Sequence, residues 1–400
     1  MSNLFKLLFF SYLYFVSSVQ FGVVNRDLQK GLHYYFMTVN TCIYALSKEE
    51  TYCCLLLIFN IYFMKKEFVL IAITALFACN EPHPVTPALS NVVADSIKTG
   101  GNRLITVDGK YKVWTKKVGD GKIKVLLLHG GPGFSHDYME CFDDFLPKEG
   151  IEIYYYDQLG CGNSDAPADT SLWNTPRYVE EVEQVRKGLG LDDFYIVGHS
   201  WGSMLALEYL DKYQSHVKGA VLSNMTASIG DYIAYTANLK TKLFTTRDLA
   251  LYDSLDRHKA YATEQYTALL MNKLYTKVIC RMPLEKWPEP LTRAFKKANQ
   301  TIYVQMQGVD EFHVTGNFKN WDFWSRLPNI KLPVLVLGGL HDEMNPESMR
   351  KEGRLLPNSR TYLCPDGSHM AMYDDQQRYF NSLTTFLKEV DQGTFKADRK

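Results

Sequence analysis

Phe194-Tyr195-Ile196-Val197 is a short run that stays apolar along its whole length. Gly198-His199-Ser200-Trp201-Gly202 follows at once, and residues 203–213 then read as a helix. A strand apolar on both faces must be covered on both faces, which a parallel sheet flanked by helices provides. The pentapeptide joins strand to helix without a loop, so the chain must turn sharply at Ser200. Glycines at 198 and 202 leave room for that turn, because side chains there would collide across it. A strand–turn–helix of this form lifts the Ser200 hydroxyl above the sheet edge and points the next amide, that of Trp201, into the same space.

The rest of the body repeats the alternation. Strand-like runs lie at Tyr111-Lys112-Val113-Trp114, Lys124-Val125-Leu126-Leu127-Leu128 and residues 151–156, 217–223, 333–337 and 360–363. A helix is expected from Thr175-Pro176, with Thr175 as its cap and Pro176 in the first turn; Tyr178, Val182, Val185 and Leu189 share one face. The pattern predicts an α/β fold with a mostly parallel central sheet, built from residues 92–225 and 331–400. Between 226 and 330 strand-like runs give way to helical composition, which predicts an inserted helical cap. Trp287-Pro288-Glu289-Pro290 is expected to separate two cap helices.

The 400 residues are 46% apolar and 22% charged, enough for a large core without disulfide or metal staples. Lys plus Arg and Asp plus Glu both number 44, so no overall basic field points to nucleic acid. The eight cysteines contain no C-x-x-C pair and no zinc spacing, and neither metal nor cofactor is expected. Residues 1–63 read differently: they are rich in Phe, Tyr, Leu and Val, with Asp27, Glu49 and Glu50 their only acids. Met64-Lys65-Lys66 then opens a basic start, residues 68–78 are apolar, and Cys79 precedes the Pro-rich Asn80-Glu81-Pro82-His83-Pro84. That is the anatomy of a secretory signal. With Ala78 before a cysteine, residues 64–79 resemble a bacterial lipoprotein signal in which Cys79 carries the lipid. The expectation is a natural start at Met64, with 1–63 translated from upstream; the other reading is a membrane-anchoring leader. Residues 80–91 are then a tether. The expected location is the cell envelope, membrane-anchored or periplasmic, with the cytoplasm as the alternative.

A serine hydroxyl attacks poorly unless a base takes its proton. His369 lies in Pro365-Asp366-Gly367-Ser368-His369 after a predicted strand. Asp342 lies in Gly338-Gly339-Leu340-His341-Asp342 after another. Loops at strand ends are where such residues sit, and the order Ser, acid, His fits the elbow. His369 is expected as general base and then acid, with Asp342 orienting it and stabilising its charge. His129-Gly130-Gly131-Pro132-Gly133 follows a strand and is expected to offer the Gly131 amide as one oxyanion donor, the Trp201 amide being the other. A phosphate loop is the competing reading, but the segment lacks the G-x-x-x-x-G-K-[ST] pattern and Pro132 has no N–H. His199 is expected to pack away from the cleft, and His129 to support the glycine loop. His136, His313 and His341 are expected to support the site or face solvent, and Asp157 to pin a loop.

These segments, with Tyr156-Asp157-Gln158-Leu159-Gly160-Cys161-Gly162-Asn163-Ser164, Gly308-Val309-Asp310-Glu311-Phe312 and Asp342-Glu343, resemble the prolyl iminopeptidase branch of the α/β-hydrolases over residues 100–390. Within it the chain is most similar to the tricorn-interacting aminopeptidases and amino-acid amidases. The resemblance implies an α/β-hydrolase fold with an inserted helical cap. It also implies a serine exopeptidase acting on peptides or amino-acid amides, with proline or another small apolar residue first. It further implies that Glu311 and Glu343 hold the substrate's free α-amino group, and two carboxylates near one point suit an ammonium. Cys280-Arg281 matches a cap segment of the relatives and is read as structural. Gly339-Leu340-His341 replaces an aromatic that relatives carry before the acid, and the cap helices diverge, so the first-residue preference stays open. The alternative activity is an esterase or lactonase using the same triad on neutral substrates.

Overall fold

The computed structural model describes residues 101–399, which lie within one compact unit, Ala88–Lys400. The leader, the signal-like segment with Cys79 and the tether lie outside the described residues. The strands are β1 (Asn102–Val107), β2 (Tyr111–Val118), β3 (Ile123–Leu128), β4 (Ile151–Tyr156), β5 (Phe194–His199), β6 (Val217–Ser223), β7 (Gly308–Asp310), β8 (His313–Val314), β9 (Val334–Gly339) and β10 (Ser359–Cys364). Eight of them form one sheet in the order β1-β2-β4-β3-β5-β6-β9-β10. β2 pairs antiparallel with β1 and β4, and every other neighbour in that sheet is parallel.

Alternate residues of the central strands enter two separate cores, as a doubly covered sheet requires. Leu126, Leu128, Ile196, Val334 and Val336 pack with α1 (Thr175–Leu189) and α2 (Trp201–Tyr213) on one face. Val125, Leu127, Tyr195, Val197, Leu335 and Leu337 pack on the other, against the C-terminal helix Gln376–Asp391. Helix α1 begins one residue earlier than expected. Asn174, not Thr175, is its cap, with Oδ1 accepting from the Arg177 amide at 3.0 Å, and Pro176 sits in the first turn. Asn outcompetes Thr here because its carbonyl reaches the third amide, while Pro176 needs no partner for an N–H it lacks.

Between β6 and β9 lie α3 (Ile229–Leu243), α4 (Thr246–Arg257), α5 (Glu264–Leu270), α6 (Glu289–Lys297) and α7 (Gln300–Met306). Pro288 caps α6 and Pro290 lies in its first turn, so the Trp287–Pro290 segment opens a helix. The expectation that strands vanish here needs correction: β7 and β8 form a small hairpin with Glu311 in its turn. The strands are too short to leave an alternating pattern. What the hairpin needs instead is Gly308, at φ 147°, where any Cβ would run into the His313 carbonyl. After β9 come α8 (Pro346–Leu355), the short helical turn Ala371–Asp374, and α9 (Gln376–Asp391).

Candidate active site

Ser200 sits between β5 and α2 with φ 55° and ψ −126°, a conformation strained for any residue with a side chain. The surroundings hold it there. Its amide donates to the Ser223 carbonyl at 2.9 Å. Ser203 Oγ donates to the Gly198 carbonyl at 2.8 Å and accepts from the Ser223 amide at 2.9 Å. A Cβ at Gly198 would overlap the Gly202 carbonyl, and one at Gly202 the Leu128 carbonyl of β3. The glycines therefore permit both the turn and the close approach of α2 to the sheet.

Asp342 follows β9 and His369 follows β10. His369 Nδ1 meets Asp342 Oδ1 at 2.9 Å. Asp342 is itself held, by the Met344 amide at 3.0 Å and by Asn224 Nδ2 at 2.7 Å. Burial disfavours a charged His369, but Asp342, then Glu311 and Asp374, outweigh it and hold the imidazole above its ordinary value. Ser200 and His369 line one cavity, which Gly130, Gly131 and Glu311 also line.

His199 is buried and packs, as expected, but it does so beside that cavity and not away from it. Its Nε2 lies 2.9 Å from the His369 carbonyl and its Nδ1 3.0 Å from the Tyr138 hydroxyl. Burial, with His369 beside it, keeps His199 well below its ordinary pKa. As the last residue of β5 it lies against the His369 loop, the two rings tilted at 58° with centroids 4.9 Å apart.

Gly131 has φ 120°, and a Cβ there would lie 2.8 Å from the Phe134 amide nitrogen. The Trp201 amide is in the first turn of α2, where amides have no intrahelical acceptor. The Trp201 indole points elsewhere, donating to Gln158 Oε1 at 2.9 Å and stacking on Phe318. Gln158 links this to His129: its amide nitrogens reach His129 Nε2 at 3.0 Å and the His129 carbonyl at 2.9 Å. His129 Nδ1 then donates to the Gly130 carbonyl at 2.9 Å, so this histidine braces the glycine loop as neutral imidazole, burial lowering its pKa. Asp157 accepts from the amides of His136 and Asn163, both at 2.8 Å, and so pins the loop after β4.

Glu311 and Glu343 come together near His369. Glu311 Oε1 accepts from the Tyr303 hydroxyl at 2.6 Å and Oε2 from Gln307 Nε2 at 3.3 Å. The Tyr232 hydroxyl donates to the Glu311 backbone carbonyl at 2.5 Å and lies 3.4 Å from Oε2. Glu343 is fully buried, and neither of its carboxyl oxygens has a hydrogen-bond partner among the described residues; Oε1 lies 3.8 Å from His369 Nδ1. Burial raises the Glu343 carboxyl well above its ordinary value and the charges of Glu311 and Asp342 add to this; the nearby Tyr232 hydroxyl opposes it without reaching hydrogen-bond geometry. Burial likewise raises Glu311, opposed by the Tyr303 hydroxyl. A buried acid with no donor is costly unless a cation or proton completes it.

Asn224, Tyr138, Tyr232 and Tyr303 support the site but stand in no local motif. The available signal for Asn224 is its place directly after β6, at φ 54°. His313 lies between Asp256 and Asp310, and His341 is exposed. Among the described residues, His136, Asp137 and Glu140 could together offer three ligand atoms to a metal. Arg293 already pairs with both acids at 2.6 Å, and Lys297 with Asp137 at 3.0 Å, so the cluster is neutralised from within the chain. Cys141, Cys161, Cys280 and Cys364 are free and buried.

A mostly parallel sheet, a serine at a strand–helix elbow and an Asp–His pair on later strand ends define the class. The alpha/beta hydrolase fold family matches residues 124–376, and the chain belongs to it. Over 289 residues it is 44% identical to the proline iminopeptidase of Chitinophaga pinensis, spanning 72% of this chain and 97% of that protein. It is also 44% identical over 297 residues to the proline iminopeptidase of Elizabethkingia meningoseptica, spanning 73% and 99%. The crystal structure of the Mycobacterium smegmatis proline iminopeptidase superposes with a TM-score of 0.68 at 25% identity, covering 74% of this chain and all of that one. Within the α/β-hydrolases, the chain is a member of the proline iminopeptidase family.

Proposed function

We infer that the protein is a serine exopeptidase that releases an N-terminal residue, proline foremost, from peptides or amino-acid amides. The observation that carries the reading is the buried Glu343 carboxyl without a donor, beside Glu311 and within 3.8 Å of His369. A substrate ammonium would supply the missing donors to both acids. It would also place the first carbonyl over Ser200. His369 takes the Ser200 proton as Oγ bonds to the carbonyl carbon, and the amides of Gly131 and Trp201 hold the oxyanion. His369 then returns the proton to the leaving nitrogen as the C–N bond breaks. Water, activated by the same imidazole, cleaves the acyl-enzyme ester and frees the residue. The resting pair of acids excludes longer N-terminal extensions, which bring no ammonium to this point.

Glu311→Gln and Glu343→Gln test this. Each should lower kcat/KM for a free-amine prolyl amide by about 10- to 100-fold, the size of a charge-assisted hydrogen bond, and spare a neutral ester of similar bulk. Equal turnover of the amide by parent and variants would leave the esterase or lactonase reading instead. Membrane attachment through Cys79 rests on the sequence pattern alone. Labelling cells with an alkyne fatty acid tests it, since Cys79→Ser should abolish the label, and an unlabelled parent protein would remove the idea.

A further inference from the structure

The loop carrying His369 is gripped from two sides. From the sheet side, Asn224 Nδ2 donates to Asp342 Oδ2 at 2.7 Å and to the Ser368 carbonyl at 3.0 Å. From the inserted segment, the Val278 carbonyl accepts from the His369 amide at 2.9 Å. The Ile279 carbonyl accepts from the Met370 amide at 2.7 Å and lies 2.8 Å from Ser368 Oγ, whose single proton it shares with Asp374. Asp374, at the end of the helical turn after His369, closes the grip. Its Oδ1 accepts from the Ser368 amide at 3.0 Å; its Oδ2 accepts from the Arg281 amide at 3.0 Å and from the Ser368 hydroxyl. The Arg281 guanidinium adds a bond to the Asp366 carbonyl at 2.7 Å. A continuous chain of bonds thus runs from Asp342 through Asn224, Ser368 and Asp374 to Arg281.

We propose that Asp374 is a positioning residue for the base, locking the His369 loop to the cap segment Cys280-Arg281 so that the imidazole is placed for Ser200 only while that segment is docked. Asp374 is not among the residues lining the Ser200 cavity, so it acts through the loop. Each of its oxygens receives at least one N–H, and a carboxylate satisfies such an arrangement where an amide cannot, because an amide would turn an NH2 toward a donor. Its charge also favours the imidazolium of His369, alongside Asp342 and Glu311. Glu343 and His199 also lie near His369. Arg281 and the Cys280 and Cys364 thiols lie near Asp374, and Asp375, Asp366 and Arg378 form an ion-paired group beside them. Burial raises the Asp374 carboxyl, and the Arg281 and Ser368 amides oppose that. The inference rests on His369 being the base of the hydrolytic reaction.

The test compares D374A, D374E, S368A and H369A with the parent on a prolyl chromophore amide. D374A should lower kcat by about 10- to 100-fold, the cost of a misplaced catalytic group, with KM changed less than about threefold. It should also move the acid limb of the kcat–pH profile to lower pH, because an anion near His369 is gone. S368A, which leaves both amide bonds and the Asp374 carboxylate in place, should lower kcat more weakly and leave the acid limb where it is. D374E should recover most of kcat and restore the limb. A kcat within about twofold of the parent in S368A and in any D374A that folds, with an unmoved limb in D374A, overturns the proposal, even if both melt earlier. H369A separates the levels: activity retained there removes the base assignment and this inference with it. Activity lost there with S368A and D374A unaffected removes the clamp alone.

Discussion

Glu343 is a residue held against its own stability. In the unfolded chain its carboxyl ionises near the ordinary 4.5; in the folded chain burial and two neighbouring acids push that point up. The native state therefore binds more protons than the unfolded state above pH 4.5, and stability falls as pH rises through that window. Glu343→Gln should remove the penalty: the Tm should rise at about pH 8 and change little near pH 4, while turnover of free-amine substrates drops. A variant that melts identically at both pH values would mean that Glu343 is not stressed. The His369 imidazole is raised in the same direction, so its folding linkage has the same sign, and its distinct readout is the reaction. The base works when neutral, so kcat should climb through an apparent pKa above the ordinary 6.5, and Asp342→Asn should move that limb down. At this scale Ser200, Asp342 and His369 stood out in the sequence because each lies in a short segment at a strand end. Tyr232 and Tyr303 did not. Each is one tyrosine in a helix, and its role depends on where a separate hairpin places Glu311.

The elbow is the element on which the site depends. Gly202→Ala puts a methyl group into the Leu128 carbonyl, a contact neither strand nor helix can relieve without moving Ser200. The expected outcome is a loss of about 1–3 kcal/mol in stability, read from urea denaturation, and a fall in kcat larger than that loss explains. Asn174→Ala, at the start of α1 and away from the cavity, should cost about 1 kcal/mol and leave kcat alone. Elements with a strong local code were legible: the β5–elbow–α2 unit, the apolar strands, the helix beginning beside Pro176. The β7–β8 hairpin was not, since its two short strands carry no alternation and its glycine reports only a backbone angle. The same limit hid the contact of His199 with the His369 loop, which exists because β5 and β10 end at the same edge.

For the molecule as a whole, two cores fix a sheet whose strand ends converge on one cavity, and the inserted segment adds Ile279, Phe295 and Glu311 to its wall. Ser200, Asp342 and His369 lie at strand ends of the sheet; Glu311 comes from the insertion, on a hairpin held by Tyr232 of α3 and Tyr303 of α7. Glu343, next to Asp342 on the loop after β9, completes the acid pair from the sheet side, so the proposed amine grip spans both parts while the proposed bond-cleaving groups come from one. Replacing the acid pair should therefore change which substrates are cleaved more than whether Ser200 reacts, and a serine-directed phosphonate should label Glu311→Gln as it labels the parent.

The most direct measurement is steady-state hydrolysis of prolyl p-nitroanilide beside its N-acetyl counterpart, which has the same scissile bond and no ammonium. Recognition of the amine by Glu311 and Glu343 predicts that acetylation lowers kcat/KM by about 100-fold or more, with Ser200→Ala inactive on both. Equal rates on the two compounds would contradict it.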